Sequence, residues 1–239
     1  MQATKENPTT TKVNSSPDYE CEVCKDMEWI LDGEGKAHPC KCREVKLYRR
    51  ILAASGISDA FRRKTFDNFE RRNKRIDKAK TTAQQYVSNF PDIKQDKHNS
   101  IAFLGSPGSG KTHLSIAIAN ELMNLMVGIL YMPYREAIIK LKQCVMDDEN
   151  YNRGIGKYKF APVLMIDDLF KGKKTESDLN IMFEIINHRY LKNLPMIISS
   201  ELLIDDLIEF DEGTGSRIVE MCRGRILELT GKDMNYRLI

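Results

Sequence analysis

The sequence predicts an α/β fold, a parallel sheet flanked by helices, preceded by a small metal-binding unit. Three observations carry this expectation. From residue 99 onward short apolar runs alternate with stretches of helical periodicity, the pattern of parallel strands joined by crossover helices. One junction holds Gly105-Ser106-Pro107-Gly108-Ser109-Gly110-Lys111-Thr112, which fits the phosphate-binding pattern G-x-x-x-x-G-K-[ST] at every required position. Upstream, Cys21-x-x-Cys24 and Cys40-x-Cys42 place four of the six cysteines in one short segment.

Residues 1–18 are expected to form a disordered tail, because Met1 to Ser16 is polar and threonine-rich and lacks the apolar stretch of a secretory signal. No apolar run approaches the roughly 18 residues needed to span a bilayer. These features lead to the expectation of a cytoplasmic protein without membrane contact. In that compartment paired cysteines read as metal ligands rather than disulfides.

Residues 19–60 form the expected zinc-binding region. Thiolates suit tetrahedral Zn²⁺, and two close pairs separated by a short loop can wrap one ion. Between the pairs, Trp29-Ile30-Leu31-Asp32-Gly33-Glu34-Gly35 reads as a strand entering a glycine-rich turn that returns the chain to the second pair. The segment is too small to fold on apolar burial alone, so the metal supplies the folding free energy. The expected ligands are Cys21, Cys24, Cys40 and Cys42. The C-x-C half is tighter than the usual C-x-x-C, which leaves His38 as an alternative for one of them. Cys144 and Cys222 stand alone and read as packing residues.

Residues 61–98 are basic. Net charge is only +3 over 239 residues, yet Arg62, Arg63, Lys64, Arg71, Arg72, Lys74, Arg75, Lys78 and Lys80 cluster here with few acids among them. Such a cluster can be a nucleic-acid footprint. A solvated helix face or linker is the plainer account.

Residues 99–239 form the expected nucleotide-binding domain. Ile101-Ala102-Phe103-Leu104 is a buried strand, and an apolar helix starts at His113. Glycines let the intervening loop wrap closely around phosphates with its amide N–H groups pointing inward, and the helix N-terminus adds partial positive charge. Lys111 is expected on the β- and γ-phosphates and the Thr112 hydroxyl on Mg²⁺, with Gly105 to His113 as the nucleotide-contacting set. Residues 127–132 read as a strand, 135–146 as a helix, and 147–159 as a polar, glycine-containing insert. Val163-Leu164-Met165-Ile166-Asp167-Asp168 is a buried strand ending in two carboxylates. Asp167 is the expected Mg²⁺-side acid and Asp168 the expected general base for an attacking water. A helix over 177–192 and a strand, Met196-Ile197-Ile198-Ser199-Ser200, follow. Guanine recognition calls for Asn-Lys-x-Asp after the loop. The nearest string, Asn73-Lys74-Arg75-Ile76-Asp77, has one residue too many and precedes it, which favours ATP.

Several local patterns then coincide: Gly56-Ile57-Ser58-Asp59-Ala60-Phe61 leading into Thr65-Phe66-Asp67-Asn68-Phe69, Gly-Lys-Thr-His-Leu in the loop, the Asp-Asp pair, and Gly231-Lys232-Asp233-Met234-Asn235-Tyr236-Arg237 near the end. From about Cys21 to Arg237 the chain resembles the DnaC/DnaI-type replicative helicase loaders, a branch of the AAA+ superfamily. The resemblance implies an ASCE-type P-loop core and an N-terminal region that binds a helicase. It assigns Ser200, with Glu201 beside it, to sensing the γ-phosphate, Arg217 to an arginine finger reaching a neighbouring subunit's ATP, and Arg237 to a second sensor. Many relatives end the sensing strand in Ser-Asn. Here Glu201 stands in place of Asn, and an acid beside the γ-phosphate is unfavourable unless it is turned away.

The function this implies is ATP-dependent placement of a hexameric replicative helicase on single-stranded DNA, with self-association in the ATP state and hydrolysis as a release switch. An IstB-like transposition helper shares the core, but its family generally lacks a cysteine-rich N-terminus. A non-hydrolysing, zinc-dependent adaptor is a further alternative. A small-molecule kinase accounts for the loop but not for the acidic pair, Arg217 or the cysteines.

Overall fold

The computed structural model of the protein describes residues 19–54, 58–70, 73–231 and 234–236. It divides into two compact units, Met1–Arg43 and Glu44–Ile239. The boundaries expected from sequence after 60 and 98 lie within the second of these units.

In the first unit β1 (Trp29–Leu31) and β2 (Ala37–Pro39) pair antiparallel, Trp29 opposite Pro39 and Leu31 opposite Ala37. The Asp32 carboxylate closes the turn between them, accepting from the N–H groups of Glu34 (3.0 Å) and Lys36 (2.9 Å). The hairpin hands the chain to Cys40, as the strand and glycine-rich turn predict. The unit's buried cluster consists of Cys21, Cys24, Cys40 and Cys42.

Helix α1 (Lys41–Ala54) starts at the second cysteine pair. In the second unit follow α2 (Ser58–Arg63), α3 (Lys74–Ile93), β3 (Ile101–Gly105), α4 (Lys111–Asn124), β4 (Ile129–Pro133), α5 (Tyr134–Gln143), α6 (Asp148–Phe160) and β5 (Val163–Leu169). The chain continues through α7 (Glu176–Leu191), β6 (Met196–Ser200), α8 (Ile204–Phe210), α9 (Glu212–Met221) and β7 (Ile226–Leu229). Five strands form one parallel sheet in the order β4-β5-β6-β3-β7. Alternate side chains of β3 serve opposite faces: Ile101 and Phe103 enter one apolar cluster, Ala102 and Leu104 the other. A sheet covered on both faces gives the continuous apolar runs seen in the sequence.

Of the 61–98 stretch, expected as a basic linker or helical segment, the greater part is helix, and two further segments differ from expectation. Residues 74–93, within the basic stretch, form α3, whose Ile76, Ala79, Ala83, Tyr86 and Phe90 lie on one face inside the core. Asn73 caps it, its side chain accepting from the Ile76 N–H at 2.9 Å. Lys74, Arg75 and Lys78 are the exposed side of an amphipathic helix; Arg71 and Arg72 lie outside the described residues. The polar insert is helical too: Asp147 caps α6 by accepting from Asn150 N–H (3.1 Å), and Ile155 and Tyr158 are buried. Gly154 and Gly156 conceal it, since each weakens helix propensity by about 1 kcal/mol. Strand β7, only four residues long, was not anticipated.

At the end of the sheet opposite the phosphate loop, Arg189 is fully buried. It donates to the carbonyls of Tyr158 (2.9 Å), Ala161 (2.9 Å) and Pro195 (2.7 Å), joining the end of α6 to the entries of β5 and β6. Burial lowers its pKa to about 9. Arg189→Met keeps the volume and strands these carbonyls; urea unfolding should show a loss of roughly 2–4 kcal/mol. An unchanged midpoint would mean that the guanidinium does not hold these elements together.

Candidate functional site

The C-terminal ends of β3, β5 and β6 deliver the phosphate loop, the two acids and two serines to one place, the usual position for a ligand in an open parallel sheet. Glycine is required where β3 ends. Gly105 has φ +114°, and a Cβ there would lie 2.6 Å from the Leu229 carbonyl oxygen of β7. Gly110 caps α4 at φ +88°, with Phe69 against it where a side chain would begin (2.7 Å).

Lys111 opens α4, and its buried ammonium donates to the carbonyls of Gly105 (2.7 Å) and Ser106 (2.8 Å). Burial lowers its pKa, with the nearby acids Glu201, Asp168 and Asp167 opposing that shift. Ser109 has a buried hydroxyl with no partner among the described residues, which a phosphate seated in the loop can satisfy. A cavity of about 190 Å³ opens above the loop, reached by Lys64, Lys111, Thr112, Asp168, Glu201 and Tyr236.

Asp167 is the centre of the site. One carboxylate oxygen accepts from the hydroxyls of Thr112 (2.8 Å) and Ser199 (2.6 Å), the other from the Tyr131 phenol (3.0 Å). Burial, and then the neighbouring Asp167, push the Tyr131 phenol well above its ordinary pKa, so it remains a donor. Between Ile166 and Leu169 the pairing of β5 with β6 slips by a bulge, and Asp168 adopts φ +57°. That left-handed turn is uncommon outside glycine, though Asp tolerates it better than most residues, and bulges re-aim side chains at functional sites. It carries the Asp168 side chain to the cavity, while its N–H donates to Ser199 Oγ (2.9 Å). A hydroxyl and a carboxylate in direct contact beside a phosphate loop are a donor set that suits Mg²⁺.

Ser200, the expected sensing residue, is turned away. Its buried hydroxyl donates to the Leu169 carbonyl (2.8 Å) and does not reach the cavity. Strand alternation gives the contact with Asp167 to Ser199 instead. Arg217, half-buried on α9, donates to Asn187 Oδ1 (2.9 Å) and the Gly213 carbonyl (2.6 Å) and lies over the Phe183 and Tyr190 rings. It does not line its own chain's cavity. Arg237 lies outside the described residues.

The segment Thr65–Phe69 meets the loop through His113, whose Nε2 lies 2.9 Å from the Thr65 carbonyl and 3.0 Å from Asn68 Oδ1. Phe69 stacks edge-on against the His113 ring, 5.0 Å between centroids. From the other end of the chain, Tyr236 N–H donates to the Gly108 carbonyl (3.0 Å) and its phenol to Glu70 O (2.7 Å). His113 thus fastens the preceding segment to the loop rather than lining it alone. Tyr131, Ser199, Lys171 and Tyr236 were missed from sequence. Only Ser199 carried a signal, the alternation of its strand.

The four cysteine sulfurs lie within 4.8 Å of one another, Cys21 to Cys40 at 3.8 Å and Cys24 to Cys42 at 3.3 Å. A tetrahedral Zn–S distance of about 2.3 Å requires sulfurs about 3.8 Å apart, so the cluster fits a zinc site. The Cys24 N–H facing the Cys21 sulfur lowers that thiol's pKa to about 7, toward the thiolate a metal binds, whereas burial pushes Cys42 up. His38 is not part of the set. Its ring pairs with Asp32 at 2.6 Å on the exposed hairpin.

Among the described residues no helix is long and apolar enough to cross a membrane. Residues 26–210 match the family described as IstB-like ATP binding protein. The phage-like element PBSX protein XkdC of Bacillus subtilis (strain 168) is 39% identical over 233 residues, which are 92% of this chain and 86% of that protein. The replicative helicase loader DnaC of Buchnera aphidicola subsp. Acyrthosiphon pisum (strain APS) is 27% identical over 194 residues, 79% of this chain and 75% of that one. Among solved structures, DnaI superposes with a TM-score of 0.60 at 26% identity, covering 72% of this chain and 94% of the other. The DnaC helicase loader gives 0.58 at 22% identity over 72% and 99%, a likeness of fold. The chain belongs to the IstB-like ATP-binding family, in the DnaC/IstB-like branch of P-loop proteins.

Proposed function

We propose that the protein is an ATP-hydrolysing loader that holds a hexameric replicative helicase and places it on single-stranded DNA. The observation that carries the ATPase half is the junction of Thr112, Asp167 and Ser199 beside Lys111. Lys111 exchanges its loop carbonyls for the β- and γ-phosphates, and the loop N–H groups and Ser109 hydroxyl take the remaining oxygens. Thr112 and Asp167 hold Mg²⁺, which when bound neutralises phosphate charge. Asp168 takes a proton from water as the water oxygen bonds to the γ-phosphorus and the bridging bond to ADP breaks. Arg217 reaches the ATP of a neighbouring subunit in an ATP-dependent assembly, and Arg237 serves as the second sensor that the family resemblance assigns.

The loader half rests on the four-thiol unit, which favours this reading over a transposition helper. In residues 19–43, Glu20, Glu22, Asp26, Glu28, Asp32 and Glu34 outnumber Lys25, Lys36, Lys41 and Arg43. Val23, Met27 and Leu31 are more than two-thirds exposed there. An acidic surface with exposed apolar side chains suits a protein partner, not a nucleic acid. The unit therefore grips the helicase, and DNA is left to the ATPase unit.

Asp168→Asn should lower ATP hydrolysis by about 100-fold or more while ATP affinity stays within a few-fold. Equal loss of both would make Asp168 a binding residue, and unchanged hydrolysis would remove it from the mechanism. Pull-down against the replicative helicase of the same host or phage, with ATP, with ADP and after zinc chelation, tests the loader itself. Capture that weakens on chelation is expected. No capture in any state would sink the loader reading and favour a transposition-type ATPase.

A further inference from the structure

Glu201 follows directly on β6, and its carboxylate reaches the same cavity as Lys111. Unmodified, an acid there would repel the terminal phosphate of ATP. The structure contains its counterweight. Lys171, three residues beyond Asp168, has its ammonium 2.8 Å from Asp168 Oδ2 and 3.0 Å from Glu201 Oε1. The backbone sets this up. Asp168 and Phe170 both have positive φ (57° and 61°), and the Lys171 N–H donates to the Asp168 carbonyl at 3.1 Å, which folds the chain back toward β6.

An ammonium carries three protons. Among the described residues two go to these carboxylates, which leaves the third for an anion in the cavity that Lys171 itself lines. The bond to Asp168, and then that to Glu201, raise the Lys171 pKa, so the side chain is charged at neutral pH. Lys64, Lys111 and Lys171 line the cavity with Asp168 and Glu201, and loss of Lys171 would remove the cation that pairs with both of these acids.

We propose that Lys171 contacts the terminal phosphate of bound ATP and that Glu201 is a positioning residue that holds Lys171 there. The inference rests on the ATP-binding reading and deepens it: the ion pair takes the place that a neutral polar side chain holds where the strand ends in Ser-Asn. It also gives ATP and ADP different consequences. Only ATP presents a terminal phosphate to the remaining Lys171 proton, beside Asp168, the general base of the proposed reaction.

The test is equilibrium binding of ATPγS and of ADP, both with Mg²⁺, to the full chain and to K171M, K171R, E201Q and the K171M/E201Q double variant. K171M should weaken ATPγS roughly tenfold or more and ADP less than about twofold. K171R should retain the preference for the triphosphate. The double variant should regain part of the ATPγS affinity, because the uncompensated acid is gone. Equal weakening of both nucleotides by K171M, no weakening of either, or a double variant no better than K171M would each overturn the proposal while leaving ATP binding intact. If the parent protein binds neither nucleotide, the ATP-binding reading itself fails and this inference falls with it.

Discussion

Asp167 accepts hydrogen bonds from Thr112 at the start of α4, Ser199 on β6 and Tyr131 on β4, while itself sitting on β5. A buried carboxylate is costly unless its oxygens are satisfied, and here three separate elements satisfy them. The register of the sheet around the site depends on this point. Slipping β4 or β6 by one residue would turn Tyr131 or Ser199 to the opposite face and leave the charge unpartnered. The convergence also aims the Thr112 hydroxyl at the Asp167 carboxylate, the pair proposed to hold Mg²⁺. The bulge after Ile166 then lets the next acid, Asp168, leave the strand for the cavity.

The two units meet the folding problem by different means. The second buries apolar residues on both faces of a five-stranded sheet. The first has a hairpin of two three-residue strands, both exposed, and its buried residues are four sulfurs. With so little apolar area, a metal bound by those thiols would supply what a core otherwise does.

Much of this was legible in the sequence, for identifiable reasons. The phosphate loop is local: its glycines, lysine and threonine must follow one another for the backbone to wrap a phosphate, so the string reads directly. The cysteine pairs are legible for the same reason, and the geometry removes His38 from the set because Asp32 claims it. Relationships across the sheet were not legible. Ser200 was chosen over Ser199 because both end the strand, and only pairing with β5 decides which side chain meets Asp167. Lys171 looked like one of several lysines in a loop, and its two carboxylate partners depend on positive φ values no pattern announces. Helix α6 was hidden by its glycines, and the charges on the exposed side of α3 left helix and linker equally open there.

Lys111, Thr112 and Asp167 together are proposed as a site for magnesium-bound ATP. Titration of the purified protein with a fluorescent ATP analogue, in Mg²⁺ and then in EDTA, is the decisive measurement. Saturable binding at one site per chain is expected, weakened by EDTA and abolished in Lys111→Ala. Absence of binding in the parent protein, or binding indifferent to both Mg²⁺ and Lys111, would rule such a site out.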